Sequence, residues 1–216
     1  MARLRRATRD DLTVRRVRRG RYFGYTDADG TKLKDVELYD RARSLGIPPA
    51  WTDVRVAPHP RFHIQALGTD AAGRLQYIYH PDWEARRARH KQQQLALALG
   101  VALIDRTAMR VGRERYLEAH GTRGAGTLFT RDVTVKGDTV RIRFPAKSGK
   151  TADYVLEDAH VADAIRRVKS IPGARLLMYR NVEGRPKAIR TEDLSRYLRE
   201  IAGAPITAKD FRTLHA

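Results

Sequence analysis

Three basic side chains, Arg110, Lys147 and Arg212, occupy positions where packing alone does not call for a charge. Two arginines and a lysine without an acidic metal cluster suit phosphoryl transfer, in which protein cations stabilise a pentavalent transition state. Arg110 follows an apolar series, Leu97, Val101, Ile104, Ala108 and Val111, whose steps of three and four predict one helix face. At roughly 100° per residue Arg110 falls about 200° from Ala108, on the side of Arg106 and Arg113. Leu99 and Leu103 lie upstream on that side, so the guanidinium emerges at the edge of a packed surface and needs an anion for its donors. Lys147 sits in the turn Ala146-Lys147-Ser148-Gly149-Lys150, and Arg212 in Lys209-Asp210-Phe211-Arg212-Thr213, on the first turns of a helix capped by Thr207.

The elements that must position these residues are legible in outline. Asp132 to Val135, a Lys136-Gly137-Asp138 turn, and Val140, Ile142 and Phe144 alternating with Arg141 and Arg143 read as a hairpin. Thr151 to Leu156 completes a three-stranded meander with Lys147 at a polar tip. Asp158 to Lys169 is helical, Thr191 caps a helix to about Ala202, and Leu176 to Tyr179 fits either a strand or a helix start. Upstream, Asp35 to Leu45 is a short helix stopped by Gly46 and Pro48-Pro49. Strands are expected at Val54 to Ala57, His63 to Leu67 and Arg74 to Tyr79, the last placing Gln76 and Tyr77 on opposite faces and Tyr77 with Tyr79. Asp27-Ala28-Asp29-Gly30 resembles the start of a calcium loop but reads as a turn, since its twelfth position is Leu38. The fold expected is α+β: residues 1–82 a small, mainly antiparallel β domain with a partly disordered basic arm over residues 1–20, residues 83–94 a charged linker, and residues 95–216 a mostly helical domain containing the meander.

Composition narrows the partner. The 216 residues hold 43 Lys and Arg against 25 Asp and Glu, a net charge of +18 and a pI of about 10.7. That balance favours a polyanion through counterion release, with nucleic acid first. There is no cysteine, which excludes disulfides, thiolate metal sites, zinc fingers and cysteine nucleophiles. No run of apolar residues is long enough to span a bilayer or serve as a signal peptide, so a cytoplasmic chain is expected.

Motifs in both domains converge on one family. Met109-Arg110-Val111-Gly112-Arg113, Phe144-Pro145-Ala146-Lys147-Ser148-Gly149-Lys150 and Lys209-Asp210-Phe211-Arg212-Thr213 occur in the order found in type IB DNA topoisomerases of the short bacterial and poxvirus kind. Ile47-Pro48-Pro49-Ala50-Trp51-Thr52-Asp53, Gly68-Thr69-Asp70 and Gly73-Arg74-Leu75-Gln76-Tyr77-Ile78-Tyr79 are similar to that family's N-terminal signature. The resemblance implies attack of a tyrosine on a DNA phosphodiester, a 3′-phosphotyrosine with a free 5′-hydroxyl, strand rotation and religation, with no ATP, metal or other cofactor. It implies that Arg110 and Arg212 hold the non-bridging oxygens and that Lys147 protonates the leaving 5′-oxygen. By the same match Gln76, Tyr77, Tyr79 and Lys209 contact double-stranded DNA, residues 1–82 help to clamp it, and a monomer acts at the bacterial nucleoid.

The match departs from the family at one place. The family carries a histidine or asparagine and then the nucleophilic tyrosine after the second arginine, whereas all nine tyrosines here precede Arg212. His215 is too close to Arg212 to be that histidine. The last helix lacks a stop signal, so the sequence reads as cut short before its nucleophile, able to bind DNA and unable to cleave it. Two alternatives stay open: a tyrosine recombinase fragment, which the strand-rich N-terminal signature disfavours, and a non-catalytic basic DNA-binding module.

Overall fold

In the computed structural model, which describes residues 3–214 apart from the side chains of Arg212 and Leu214, the chain divides into two compact units, Met1–Arg86 and Arg87–Ala216. The fold is α+β, with antiparallel sheets and a β-rich N-terminal part. No helix among the described residues is long and apolar enough to cross a membrane.

Unit 1 is organised by a five-stranded antiparallel sheet of β1 (Val14–Arg19), β2 (Tyr22–Thr26), β3 (Thr52–Val56), β4 (Ile64–Thr69) and β5 (Leu75–Tyr79), in the order β2-β1-β3-β4-β5. Val56 pairs with Val14 on one side and Ala66 on the other, and Ala66 with Ile78, so period-two alternation puts an apolar row on one face. Helix α1 (Val36–Ser44) belongs to the cluster on that face through buried Ala42 and half-buried Leu38 and Tyr39. Its start is fixed by Asp35, whose carboxylate accepts from the Leu38 amide. On the opposite face Leu67 joins Ala7, Leu12 and Phe62, with Tyr77 and Tyr79 packed against them.

The basic arm expected over residues 1–20 is ordered structure from Arg5, which bridges to Phe62, to β1, which lies between two other strands. The reason is that its few apolar residues are well anchored and its arginines find acceptors. Leu12 is 1% exposed, and Arg16 donates to the carbonyls of Ile47, Pro48 and Trp51 while lying 4.2 Å from the Phe23 ring centroid.

Helix α2 (Pro81–Thr107) includes the whole stretch expected as a linker, 83–94, because its Glu, Ala, Arg, Lys and Gln are good helix formers. In unit 2 its Leu99, Leu103 and Ile104 enter one core with Val140, Ile142 and Phe144 of β7 (Thr139–Pro145). That strand is central in the meander β6-β7-β8, flanked by β6 (Val133–Lys136) and β8 (Thr151–Glu157). Helix α3 (Glu114–His120) precedes the meander, and α4 (Ala159–Lys169), started by Asp158, follows and buries Val161, Ile165 and Val168. The ambiguous segment resolves as a strand, β9 (Met178–Arg180), paired with β10 (Pro186–Ala188). Helix α5 (Thr191–Ala202) packs closely on α2: a Cβ on Gly100 would lie 2.7 Å from Leu194 Cδ1. Helix α6 (Ala208–Leu214) is the last described element, and His215 lies outside the described residues.

Candidate active site

Arg110 is not on a helix, as the apolar spacing predicted, but on an irregular segment just beyond α2. The helix stops at Thr107 for a local reason. The Thr107 hydroxyl donates to the Leu103 carbonyl at 2.6 Å and accepts from the Met109 amide at 3.2 Å, Ala108 takes a left-handed φ of 51°, and Met109 turns into the core. The segment is then knitted down by its backbone. Arg110 O accepts from Ala125 N, Val111 O from Gly126 N at 2.7 Å, and Gly112 O from the Thr191 hydroxyl at 3.0 Å. This contact requires glycine: a Cβ on Gly124 would sit 2.2 Å from Arg110 O and 2.5 Å from Gly112 N. The backbone under Arg110 is therefore held before any ligand arrives, while the side chain is exposed.

Lys147 lies beyond the end of the β7–β8 ladder, whose last pair is Pro145 with Thr151. The Ala146 amide donates to Lys150 O at 2.7 Å across the turn, and Ser148 and Gly149 take positive φ values of 64° and 70°. The base of the turn is fixed by Arg123 N donating to Pro145 O at 3.0 Å. Residues 147–150 are exposed.

Helix α6 begins with a reciprocal cap. Thr207 Oγ1 accepts from Lys209 N, and the Asp210 carboxylate accepts from the Thr207 amide and hydroxyl at 2.7 and 2.8 Å. Those bonds, the amide first, hold the Asp210 carboxyl below its usual range.

These three segments line one cavity of about 930 Å³. It receives Arg110, Arg113, Arg123, Lys147, Lys150 and Lys209, and among the described residues no carboxylate lines it. Arg123 is neutralised by Asp132 at 2.6 Å, with 11% and 5% of the two side chains exposed. Among the described residues the other five make no ion pair and no side-chain hydrogen bond. Unpaired cations without acids leave the cavity suited to an anion larger than a single ion. Arg212 follows Lys209 by three residues on α6, and its side chain lies outside the described residues. The sequence reading missed the cavity roles of Arg113, Tyr116, His120, Arg123 and Lys150. Tyr116 and His120 were detectable by their spacing of four, with Arg113 three residues before Tyr116 at the N-cap, but at a seven-residue helix that signal is weak.

Gln76, Tyr77 and Tyr79 lie in unit 1 on β5, an edge strand. Tyr77 and Tyr79 stack with centroids 5.8 Å apart, and the Tyr77 hydroxyl accepts from Arg9 Nε at 3.0 Å. Gln76 points to the other face and donates from Nε2 to Asp70 at 2.9 Å.

Residues 22–70 match the family described as bacterial DNA topoisomerase IB, N-terminal domain, and residues 69–216 match the family described as eukaryotic DNA topoisomerase I, catalytic core. The DNA topoisomerase 1B of Acanthamoeba polyphaga mimivirus is 29% identical over 226 aligned positions, covering 90% of this chain. The chain spans 66% of that relative's length. Among solved structures, the XerH site-specific recombinase bound to difH substrate aligns with a TM-score of 0.31 and 15% identity over 67% of this chain and 46% of its own, a likeness that carries no argument.

Proposed function

Since the chain belongs to the type IB DNA topoisomerase family, we propose that it engages duplex DNA and supplies the cationic part of a strand-cleaving transesterification that uses neither ATP nor metal. Arg110 and Arg212 bind the non-bridging oxygens of one phosphate, Lys147 donates a proton to the departing 5′-oxygen, and Lys209 contacts the neighbouring backbone. In the full reaction a tyrosine oxygen forms a bond to phosphorus as the phosphorus to 5′-oxygen bond breaks. The proton from Lys147 converts the leaving alkoxide into a hydroxyl. Residues 1–82, with Gln76, Tyr77 and Tyr79, grip the duplex, residues 95–216 carry the chemistry, and the protein acts as a monomer.

The observation that carries this reading is the cavity, where Arg110, Lys147 and Lys209 from three separate segments meet without a carboxylate among the described lining residues. Arg212 supports it by position, three and four residues beyond Lys209 and Ala208, which both line the cavity. No tyrosine follows Arg212 within residues 1–216, so these residues taken alone bind duplex DNA and leave it intact.

The test is plasmid relaxation in EDTA without ATP. Residues 1–216 should shift a duplex in a gel yet leave the plasmid supercoiled, and a longer chain carrying a tyrosine after Arg212 should relax it. Failure of both chains to bind duplex overturns the reading. Binding by the longer chain without any cutting leaves a plain DNA-binding module, and exchange confined to paired sites identifies a recombinase.

A further inference from the structure

Asp70 closes the β4–β5 hairpin with an unusually full set of bonds. Its Oδ1 accepts from the Ala72 and Arg74 amides at 2.9 Å each, and its Oδ2 accepts from Arg74 Nε at 3.0 Å and Gln76 Nε2 at 2.9 Å. The Arg74 amide, and then the Gln76 and Arg74 side chains, bring its pKa down to about 2. At neutral pH the group is an ionised carboxylate, which accepts and cannot donate. A glutamine amide has two orientations differing by a half-turn, and a carboxylate neighbour permits one of them. The NH2 of Gln76 must face Asp70, and its Oε1, which has no protein partner among the described residues, faces away.

We propose that Asp70 is a positioning residue that locks the Gln76 amide with its oxygen outward and so selects the base Gln76 accepts in the DNA major groove. This rests on the reading above that β5 touches duplex DNA. The outward pattern is an acceptor beside the second N–H of Nε2. It matches adenine, which offers an N6 donor beside the N7 acceptor, and opposes guanine, which offers acceptors at both O6 and N7.

Asp70→Asn separates the lock from the turn. The asparagine Oδ1 keeps the two backbone amides, while Nδ2 replaces Oδ2 and donates, which releases the exposed Arg74 guanidinium, reverses the Gln76 amide and turns its NH2 outward. Residues 1–216 are titrated at fixed salt with duplexes in which each base pair is exchanged in turn. The wild type should lose roughly 5- to 150-fold in affinity on exchange of adenine for guanine at one position. Asp70→Asn should abolish or invert that preference, and Gln76→Ala should remove it. Should Asp70→Asn fold poorly, the Gln76 amide of the wild type tests the lock without any substitution.

An unaltered adenine preference in Asp70→Asn, or in Gln76→Ala, overturns the inference while leaving the topoisomerase reading standing. Absence of any duplex binding overturns both. A readout without DNA is the Gln76 side-chain amide in a nitrogen–proton NMR spectrum. Its protons should exchange slowly in the wild type, and exchange like that of a free glutamine overturns the lock directly.

Discussion

Arg16 and Arg41 in unit 1 and Arg110 and Lys147 in unit 2 carry the same charge in opposite circumstances. Arg16 donates to three carbonyls, and Arg41 to Gln65 Oε1 and the Ala57 carbonyl. Burial lowers the pKa of both guanidinium groups from its usual value. Arg110 and Lys147 spend no side-chain donor on protein groups among the described residues, and their backbones are held instead. A net charge of +18 therefore does not locate a DNA site by itself. The informative quantity is which cations the fold leaves unsatisfied, because an arginine that completes a loop's hydrogen bonds is not available to a phosphate.

The largest effect that sharpens this contrast is on rate. In a chain with a tyrosine after Arg212, Lys147→Ala should slow single-turnover cleavage by roughly 10²- to 10⁴-fold while duplex affinity changes little. A matching loss of affinity would place Lys147 among simple phosphate contacts.

Next comes Gly124→Ala. Gly124 has an extended φ of −163°, so any cost comes from the collision with Arg110 O and not from backbone strain. Urea unfolding should show a loss of about 3 kcal/mol, accompanied by weaker duplex binding as Arg110 is displaced. Full stability would mean the segment yields easily and does not preset Arg110.

A paired comparison of Arg16→Ala and Arg110→Ala is expected to split by observable. The first should cost about 2 kcal/mol in unfolding free energy through three lost charged hydrogen bonds and leave the salt dependence of DNA binding unchanged. The second should change stability by less than about 0.5 kcal/mol and reduce the slope of log affinity against log salt by about 1.

The smallest effect is acid sensitivity. The carboxyls of Asp70, Asp153, Asp158 and Asp210 are all lowered by hydrogen bonds, Asp70 to about 2. Groups depressed in the folded state contribute stability above their unfolded values near 4 and lose it as pH falls through the folded values. Melting temperature should hold from pH 7 to about 4 and fall between about 4 and 2, with a shallower fall in Asp70→Asn.

Much of this fold could be read from local patterns. The alternation of Val140, Ile142 and Phe144, the Gly137 and Gly149 turns, and the cap Thr207 act over a few residues, and the meander and helices α1, α4, α5 and α6 appear where they were expected. Thr191, however, is the first residue of α5 and not its cap, its hydroxyl bonding Gly112 O instead. The end of α2 was missed because Thr107 bonds back to the chain and Ala108 takes a left-handed turn, both invisible to a periodicity that continues to Val111. The N-terminal arm was missed because Leu12 and Arg16 find their partners dozens of residues away. The buried Arg123–Asp132 pair looked in sequence like two more surface charges. Arg110, Lys147 and Lys209 were named from motifs, but their meeting in one cavity depends on the Gly112–Gly124 contact, which no spacing rule encodes.

If cations from separate segments address one phosphate, neutralising phosphates one at a time reveals it. Duplexes carrying one methylphosphonate at each successive position are titrated with the wild type, Arg110→Ala and Arg212→Ala. Both variants should become insensitive to neutralisation of the same phosphate, the one whose replacement most weakens the wild type. Coupling of the two arginines to phosphates several nucleotides apart, or to none, would contradict it.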